Sequence, residues 1–146
     1  DGGHQVGAAY RGSPRGMNRG TIIIDGNAGN EIGLTLRRGL IVIGGNAGDL
    51  IGFNMLAGTI MVFGESGIRH GAGMRRGSII FMGESHPKLL PSFRHAVRYQ
   101  PEFMQVLLRK ITATGFEIAQ PILDSNFDLY HGDMIDGGRG EILLRA

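Results

Sequence analysis

Four apolar runs recur along the first half of the chain at one interval. Thr21-Ile22-Ile23-Ile24, Leu40-Ile41-Val42-Ile43, Thr59-Ile60-Met61-Val62 and Ser78-Ile79-Ile80-Phe81 begin nineteen residues apart. Each is too short for a helix and rich in β-branched residues, so each is read as a strand. The polar stretches between them repeat as well: GNAGNEIGLTLRRGLIVIG is followed by GNAGDLIGFNMLAGTIMVF and GESGIRHGAGMRRGSIIFM. Glycine holds four columns: Gly26, Gly45, Gly64 and Gly83; Gly29, Gly48 and Gly67; Gly33, Gly52 and Gly71; Gly20, Gly39, Gly58 and Gly77. A fixed period of this length predicts a solenoid, because each unit buries its apolar face only by stacking on the next. The glycines are the expected corners, where positive φ or close backbone approach excludes a side chain. Asn27 and Asn46 are placed at left-handed turn positions. Stacked coils put strands about 4.8 Å apart, so Ile22, Ile41, Ile60 and Ile79 should lie in register. The predicted fold is mainly β, a parallel β-helix of 19-residue coils. The Leu-x-x-Leu-x-Leu frame of leucine-rich repeats is absent, and nineteen is not a multiple of six. The pattern leaves the handedness open.

The columns also sort the side chains. Val6, Ile32, Ile51 and His70 share one, and three apolar members place it inward. His70 is therefore read as a satisfied core histidine. Met17, Leu36, Met55 and Met74 form a ladder of core filler. Arg19, Arg38 and Arg76 share a column, Arg37 and Arg75 the next, and Leu56-Ala57 interrupts both. Charges two coils apart sit roughly 10 Å from each other, which salt screens substantially. This strip reads either as a solvated face or as a basic surface with an apolar notch, suited to an acidic partner or a polyanion.

Before the regular coils, Gly3 and Gly7 match Gly29 and Gly33, so Asp1 to Gly7 reads as part of a coil whose first glycine is missing. A fragment of a longer protein is expected, since an open solenoid end is an adhesive edge. Gly7 to Gly33 is seven residues longer than the period, with the excess around Tyr10 to Gly16. This insertion is either a tolerated surface loop or a docking element anchored by Tyr10, Arg11 and Arg15.

The period ends at Gly83, dividing the chain into β-helix coils over 1–86 and a C-terminal cap over 87–146. Glu84 to Pro101 reads as a linker. A helix is expected over about 101–114, with Pro101 at its first turn and Gly115 as terminator. Its apolar face carries Phe103, Met104, Val106, Leu107, Leu108 and Ile111, and it is expected to cap the last coil. Strands are expected over Asn126 to His131 and Glu141 to Arg145, forming a loose β-hairpin whose last strand is edge-like.

Composition narrows the chemistry. The 146 residues suffice for one domain with a core. With no cysteine, disulfides, iron–sulfur ligation and Cys-zinc sites are excluded from this chain. The formal charge of +2 is too small to argue for nucleic acid. The apolar stretch from Leu40 to Phe63 is cut by glycines and Asp49, so no membrane span is read. A cytoplasmic location is expected. His4, His70, His86, His95 and His131 show no zinc spacing, no nucleophile elbow occurs, and no Gly-Lys-Ser/Thr follows the glycines. Asp133 with Glu141 is best explained as a hairpin rim. No catalytic, metal-ligating or cofactor-binding residue is assigned.

The Gly-x-x-Gly-x-x-x-Gly coils resemble the β-helical domain of the glutamate synthase large subunit. They resemble equally the β-helical, C-type subunit of formylmethanofuran dehydrogenase and of the bacterial formyltransferase/hydrolase complex. Leu90-Pro91-Ser92-Phe93, the helix from Pro101, and Tyr130-x-Gly132-Asp133 with Gly140-Glu141-Ile142-Leu143 look like this second family. That resemblance implies a right-handed helix and a non-catalytic scaffold in one-carbon metabolism. It also implies partner subunits: an amidohydrolase-like subunit with a formyltransferase or dehydrogenase subunit. Any molybdenum, tungsten, iron–sulfur cluster or zinc would then belong to those subunits, with no cofactor on this chain. A glutamate-synthase-like spacer and a stand-alone anion- or partner-binding module are the alternatives.

Overall fold

The computed structural model describes residues 2–8, 16–118 and 124–146. Strands β1 (Thr21–Ile24), β2 (Leu40–Ile43), β3 (Thr59–Val62) and β4 (Ser78–Phe81) carry the repeat. They are followed by β5 (Arg94–Tyr99), helix α1 (Glu102–Thr112), β6 (Phe127–Gly132) and β7 (Gly140–Arg145). All seven strands belong to one sheet, ordered β1-β2-β3-β4-β7-β6-β5. The solenoid strands pair in parallel and in register, aligning Ile22, Ile41, Ile60 and Ile79 as the period requires. No helix interrupts 26–83.

Alternation along each strand sends side chains to two cores. Ile41, Ile43, Ile60, Val62, Ile79 and Phe81 point into the coil, where Ile32, Leu36, Ile51, Met55 and Met74 meet them. Leu40, Val42, Met61 and Ile80 point out and are covered by Met104, Leu108 and Ile111 of α1, with Phe127 and Leu143. Burial on both faces is why these strands are continuous apolar runs rather than alternating ones.

The non-strand part of each coil is held by ladders. Gly29 N–H donates to Gly3 O, Gly48 to Gly29 and Gly67 to Gly48, at 3.0, 2.9 and 3.1 Å. Side chains extend this: Asn27 Oδ1 accepts from Asn46 N–H and Asn46 Oδ1 from Glu65 N–H. In a second ladder His4 Nδ1 accepts from Asn30 N–H, Asn30 Oδ1 from Asp49 N–H, and Asp49 Oδ1 from Ile68 N–H. Asn27 and Asn46 thus serve as acceptors between coils and do not take the left-handed conformation expected of them; Glu31, Leu50 and Arg69 do. The glycine columns have two different causes. Gly33, Gly52 and Gly71 have φ of 72°, 70° and 72°. Gly67 has an ordinary φ, but a Cβ there would collide with Asp49 Oδ1 of the ladder.

The C-terminal part departs from expectation in four ways. The 84–101 linker contains β5, whose residues are exposed and which pairs antiparallel with β6. Its apolar residues Ala96 and Val97 are adjacent among Arg94, His95, Arg98 and Tyr99, so no alternation announced it. Second, β7 is not an edge strand. It lies between β4 and β6, parallel to the former and antiparallel to the latter, and Ile142, Leu143 and Leu144 are all buried. Third, α1 lies over the outer face of the sheet instead of capping the last coil, because Leu40, Val42, Met61 and Ile80 present the larger uncovered apolar surface. Fourth, its buried face is narrower than expected: Phe103 and Val106 remain 43% and 67% exposed.

The end of the solenoid is closed by other residues. The space above Gly33 is filled by Ile60 of the next coil, and that above Gly52 by Ile79; above Gly71 the filler is Phe93. Thr35 and Asn54 donate their N–H to Phe53 O and Ala72 O of the following coil. Gly73, next in that column, has no following coil and donates instead to Asp133 Oδ2 at 3.1 Å. Phe93 and Asp133 thus stand in for a missing coil, one in packing and one in hydrogen bonding.

Candidate functional site

Three buried polar side chains, His70, Asp128 and Asp133, are used by the fold itself, whereas the buried Ser66 Oγ has no hydrogen-bond partner. His70 is fully buried. Its Nδ1 accepts from Ile51 N–H at 3.2 Å, and its Nε2 lies 3.0 Å from Gly67 O, which fixes the neutral Nε2–H tautomer. Burial pushes its pKa from 6.5 down to about 4, and its ring packs 5.0 Å from that of Phe81. Asp128 accepts from Arg98 at 3.0 and 2.8 Å and lies 3.0 Å from His95 Nε2, tying β5 to β6. The Arg98 hydrogen bonds, then that of His95, draw its carboxyl down to about 2. Burial alone would raise the Asp133 carboxyl, but hydrogen bonds from Gly73 N–H, Ser92 and Ile135 N–H outweigh it and hold it low. Glu141 accepts from Ser78 Oγ at 2.6 Å, so Asp133 and Glu141 have separate partners. Among the described residues no three His, Cys, Asp or Glu gather as a metal site.

The arginine strip is different. Each pair sits between a buried side chain (Leu36, Met55 or Met74) and a left-handed glycine, Gly39, Gly58 or Gly77, with φ of 107°, 93° and 100°. Arg37, Leu56 and Arg75 each donate N–H to the preceding coil, to Met17 O, Leu36 O and Met55 O. The two-residue corners therefore stack one strand spacing apart. Arg37, Arg38, Arg75 and Arg76 line one open depression of about 800 Å³, floored by Leu56 and Ala57 and walled by Asp136, Gly137 and Arg139. Arg19 faces an adjoining depression of about 610 Å³ with Arg38, Leu107 and Lys110. Among the described residues the ion pairs are His95–Asp128 and Arg98–Asp128; none of the five groove guanidiniums takes part in one.

Arg139 belongs to the ladder although sequence reading did not include it. Ser78 pairs with Glu141, so Arg139-Gly140 occupies the step after Arg76-Gly77. Glu141 N–H donates to Gly77 O, as Ser78, Thr59 and Leu40 donate to Gly58, Gly39 and Gly20. The signal was present as Arg-Gly directly before a strand, in Arg19-Gly20, Arg38-Gly39, Arg76-Gly77 and Arg139-Gly140. It is hidden because Arg76 and Arg139 are 63 positions apart. Of the other expected contact residues, Tyr10, Arg11 and Arg15 lie outside the described residues.

No family model matches the chain, and no curated protein matches it in sequence. Among solved structures, the chain is similar to one chain of the X-ray crystal structure of the formyltransferase/hydrolase complex (FhcABCD) from Methylorubrum extorquens in complex with methylofuran. The two share 32% sequence identity, with a TM-score of 0.81 over 98% of this chain. The chain spans about half, 52%, of the length of the chain it matches. The expected resemblance holds at the level of the complex. No helix among the described residues is long and apolar enough to cross a membrane.

Proposed function

We propose that this β-solenoid, akin in sequence and structure to one chain of a formyltransferase/hydrolase complex, is the non-catalytic, β-helical scaffold subunit of such a complex. The observation that carries the reading is the 32% identity sustained over 98% of the chain. At that identity the likeness goes beyond a shared solenoid architecture. Support for the non-catalytic half comes from where the polar groups go. His70, Asp128 and Asp133, buried polar residues among the described ones, are each consumed in joining coils, strands or the end closure. The repeat gives stacked coils with repeating outer faces, and solenoid surfaces of this kind suit contacts with other subunits. In this reading the formyl transfer and hydrolysis occur on partner subunits, an amidohydrolase-like one and a formyltransferase, and any metal is held there.

Co-expression with formyltransferase and amidohydrolase-like subunits tests the proposal. The tagged chain is expected to retain both through purification, and formate release is expected from the assembled complex and not from the chain alone. Formate release by the purified chain, or failure to retain either subunit, overturns it.

A further inference from the structure

The stacked arginines contribute nothing visible to the chain's own stability. Arg76 and Arg139 occupy adjacent steps of the sheet, as do Arg19 and Arg38, so like charges sit about one strand spacing apart. Such neighbours repel, by about 1 kcal/mol in water at 4 Å. One carboxylate, Asp136, shares their depression. The middle coil breaks the column with Leu56-Ala57, leaving an apolar floor about 10 Å wide, two strand spacings, between the arginine pairs.

The lining itself points to what the depression receives. Leu56 and Ala57 set an apolar strip between guanidiniums that make no ion pair among the described residues. An apolar strip flanked by arginines suits a protein segment, where arginine supplies bidentate contacts to carboxylates. A nucleic acid or an inorganic polyanion would leave the Leu56-Ala57 floor without a use.

We infer that this groove docks an extended acidic segment of a partner protein, with carboxylates four residues apart bracketing an apolar side chain on the same face. An extended chain advances about 3.3 Å per residue and alternates its side chains between two faces, so residues i and i+4 point the same way about 13 Å apart. The Arg37–Arg38 and Arg75–Arg76 pairs, about 10 Å apart, reach both carboxylates through their long side chains, and the residue midway lies on Leu56 and Ala57. The inference rests on the scaffold reading, and names the surface through which the scaffold holds a partner.

The test uses the full chain and a fluorescein-labelled peptide in which Glu residues four apart flank a leucine midway between them. Matched controls replace Glu by Gln, or substitute inorganic polyphosphate of equal charge. The Glu peptide is expected to bind, to weaken at least tenfold between 50 and 300 mM salt, and to lose at least tenfold on Arg38→Glu with Arg76→Glu. Leu56→Ser is expected to cost several-fold, and Arg94→Glu, on β5 away from the groove, nothing. Unchanged melting temperatures for the variants show that the fold is intact. Equal binding of the Gln peptide, preference for polyphosphate, or indifference to the Arg38/Arg76 reversal overturns the inference. The same reversal is then introduced into the co-expressed complex. If partner subunits are retained while peptide binding is lost, the groove is not the scaffold's contact and the inference fails, although the scaffold reading stands. If the unaltered chain binds the peptide but retains no formyltransferase or amidohydrolase-like subunit, the scaffold reading fails and the groove stands.

Discussion

His70 shows how a position in a column can determine a residue's chemistry. It follows Ile32 and Ile51 into the coil, and its ring nitrogens serve Ile51 N–H and Gly67 O, so the protonated form has no place there. A histidine whose folded pKa is near 4 against 6.5 unfolded favours the native state fully above pH 6.5. That contribution falls as pH drops from 6.5 toward 4, since only the unfolded chain then takes up the proton. The loss amounts to about 3 kcal/mol at the acid end, at 1.36 kcal/mol per pKa unit. Denaturant titrations at pH 7.5, 5.5 and 4.5 should show this decline in the wild type. His70→Ile, which matches Ile32 and Ile51 of the same column, should flatten that part of the profile. An unchanged slope in the variant would assign the acid sensitivity to other groups.

At the scale of elements, the end of the solenoid is decided by a segment that looked like a linker. Phe93 fills above Gly71 the space that Ile60 and Ile79 fill above Gly33 and Gly52, and Asp133 receives the N–H of Gly73. Phe93→Ala leaves a cavity over the last corner and is expected to cost about 3 to 5 kcal/mol, as for other large aromatic deletions in cores. Truncating Val106, two-thirds exposed on α1, should stay within about 0.5 kcal/mol. Parallel urea titrations of the two variants separate these expectations. Equal, small effects would show that the coil end is closed by something other than Phe93. The strand β7 makes the same point from the other side. Its run of three buried apolar residues was the mark of a strand covered on both faces, and the charged Glu141 and Arg145 at its ends concealed that. Glu141 bonds to Ser78 Oγ, and Arg145 Nε donates to Met82 O at 2.5 Å, so the charges are tied to neighbouring coils.

For the molecule as a whole, one sheet joins the repeat to the C-terminal part, and burial along it is uneven. The residues of β1 are exposed or half-buried, whereas β2 is buried throughout and β3 and β4 nearly so. Solenoid stability is close to a sum of nearest-neighbour terms, so opening should begin where neighbours are fewest. Hydrogen exchange followed by mass spectrometry is expected to release Thr21–Ile24 first and the amides of β3, β4 and β7 last. Simultaneous exchange of all strands would instead mean that the sheet opens as a single unit. The stacked coils hold Arg19 beside Arg38 and Arg76 beside Arg139, one strand spacing apart.

The sequence by itself determined the repeat, its register, the inward columns and the arginine strip, because each follows from a spacing that every coil must satisfy locally. His70 and the methionine ladder were legible for the same reason. What only the tertiary structure decided lies where the period stops. Nothing local reports that β5 pairs with β6, that α1 lies on the sheet's outer face, or that β7 continues the solenoid. Those placements depend on surfaces left uncovered by residues far away in the chain. The groove divides along the same line. Arg38 and Arg76 were visible in their column, but Arg139 and Asp136 joined them only when β7 docked on β4, bringing together residues 63 positions apart. Local spacing fixes a repeat, and the burial of what the repeat leaves exposed fixes the rest.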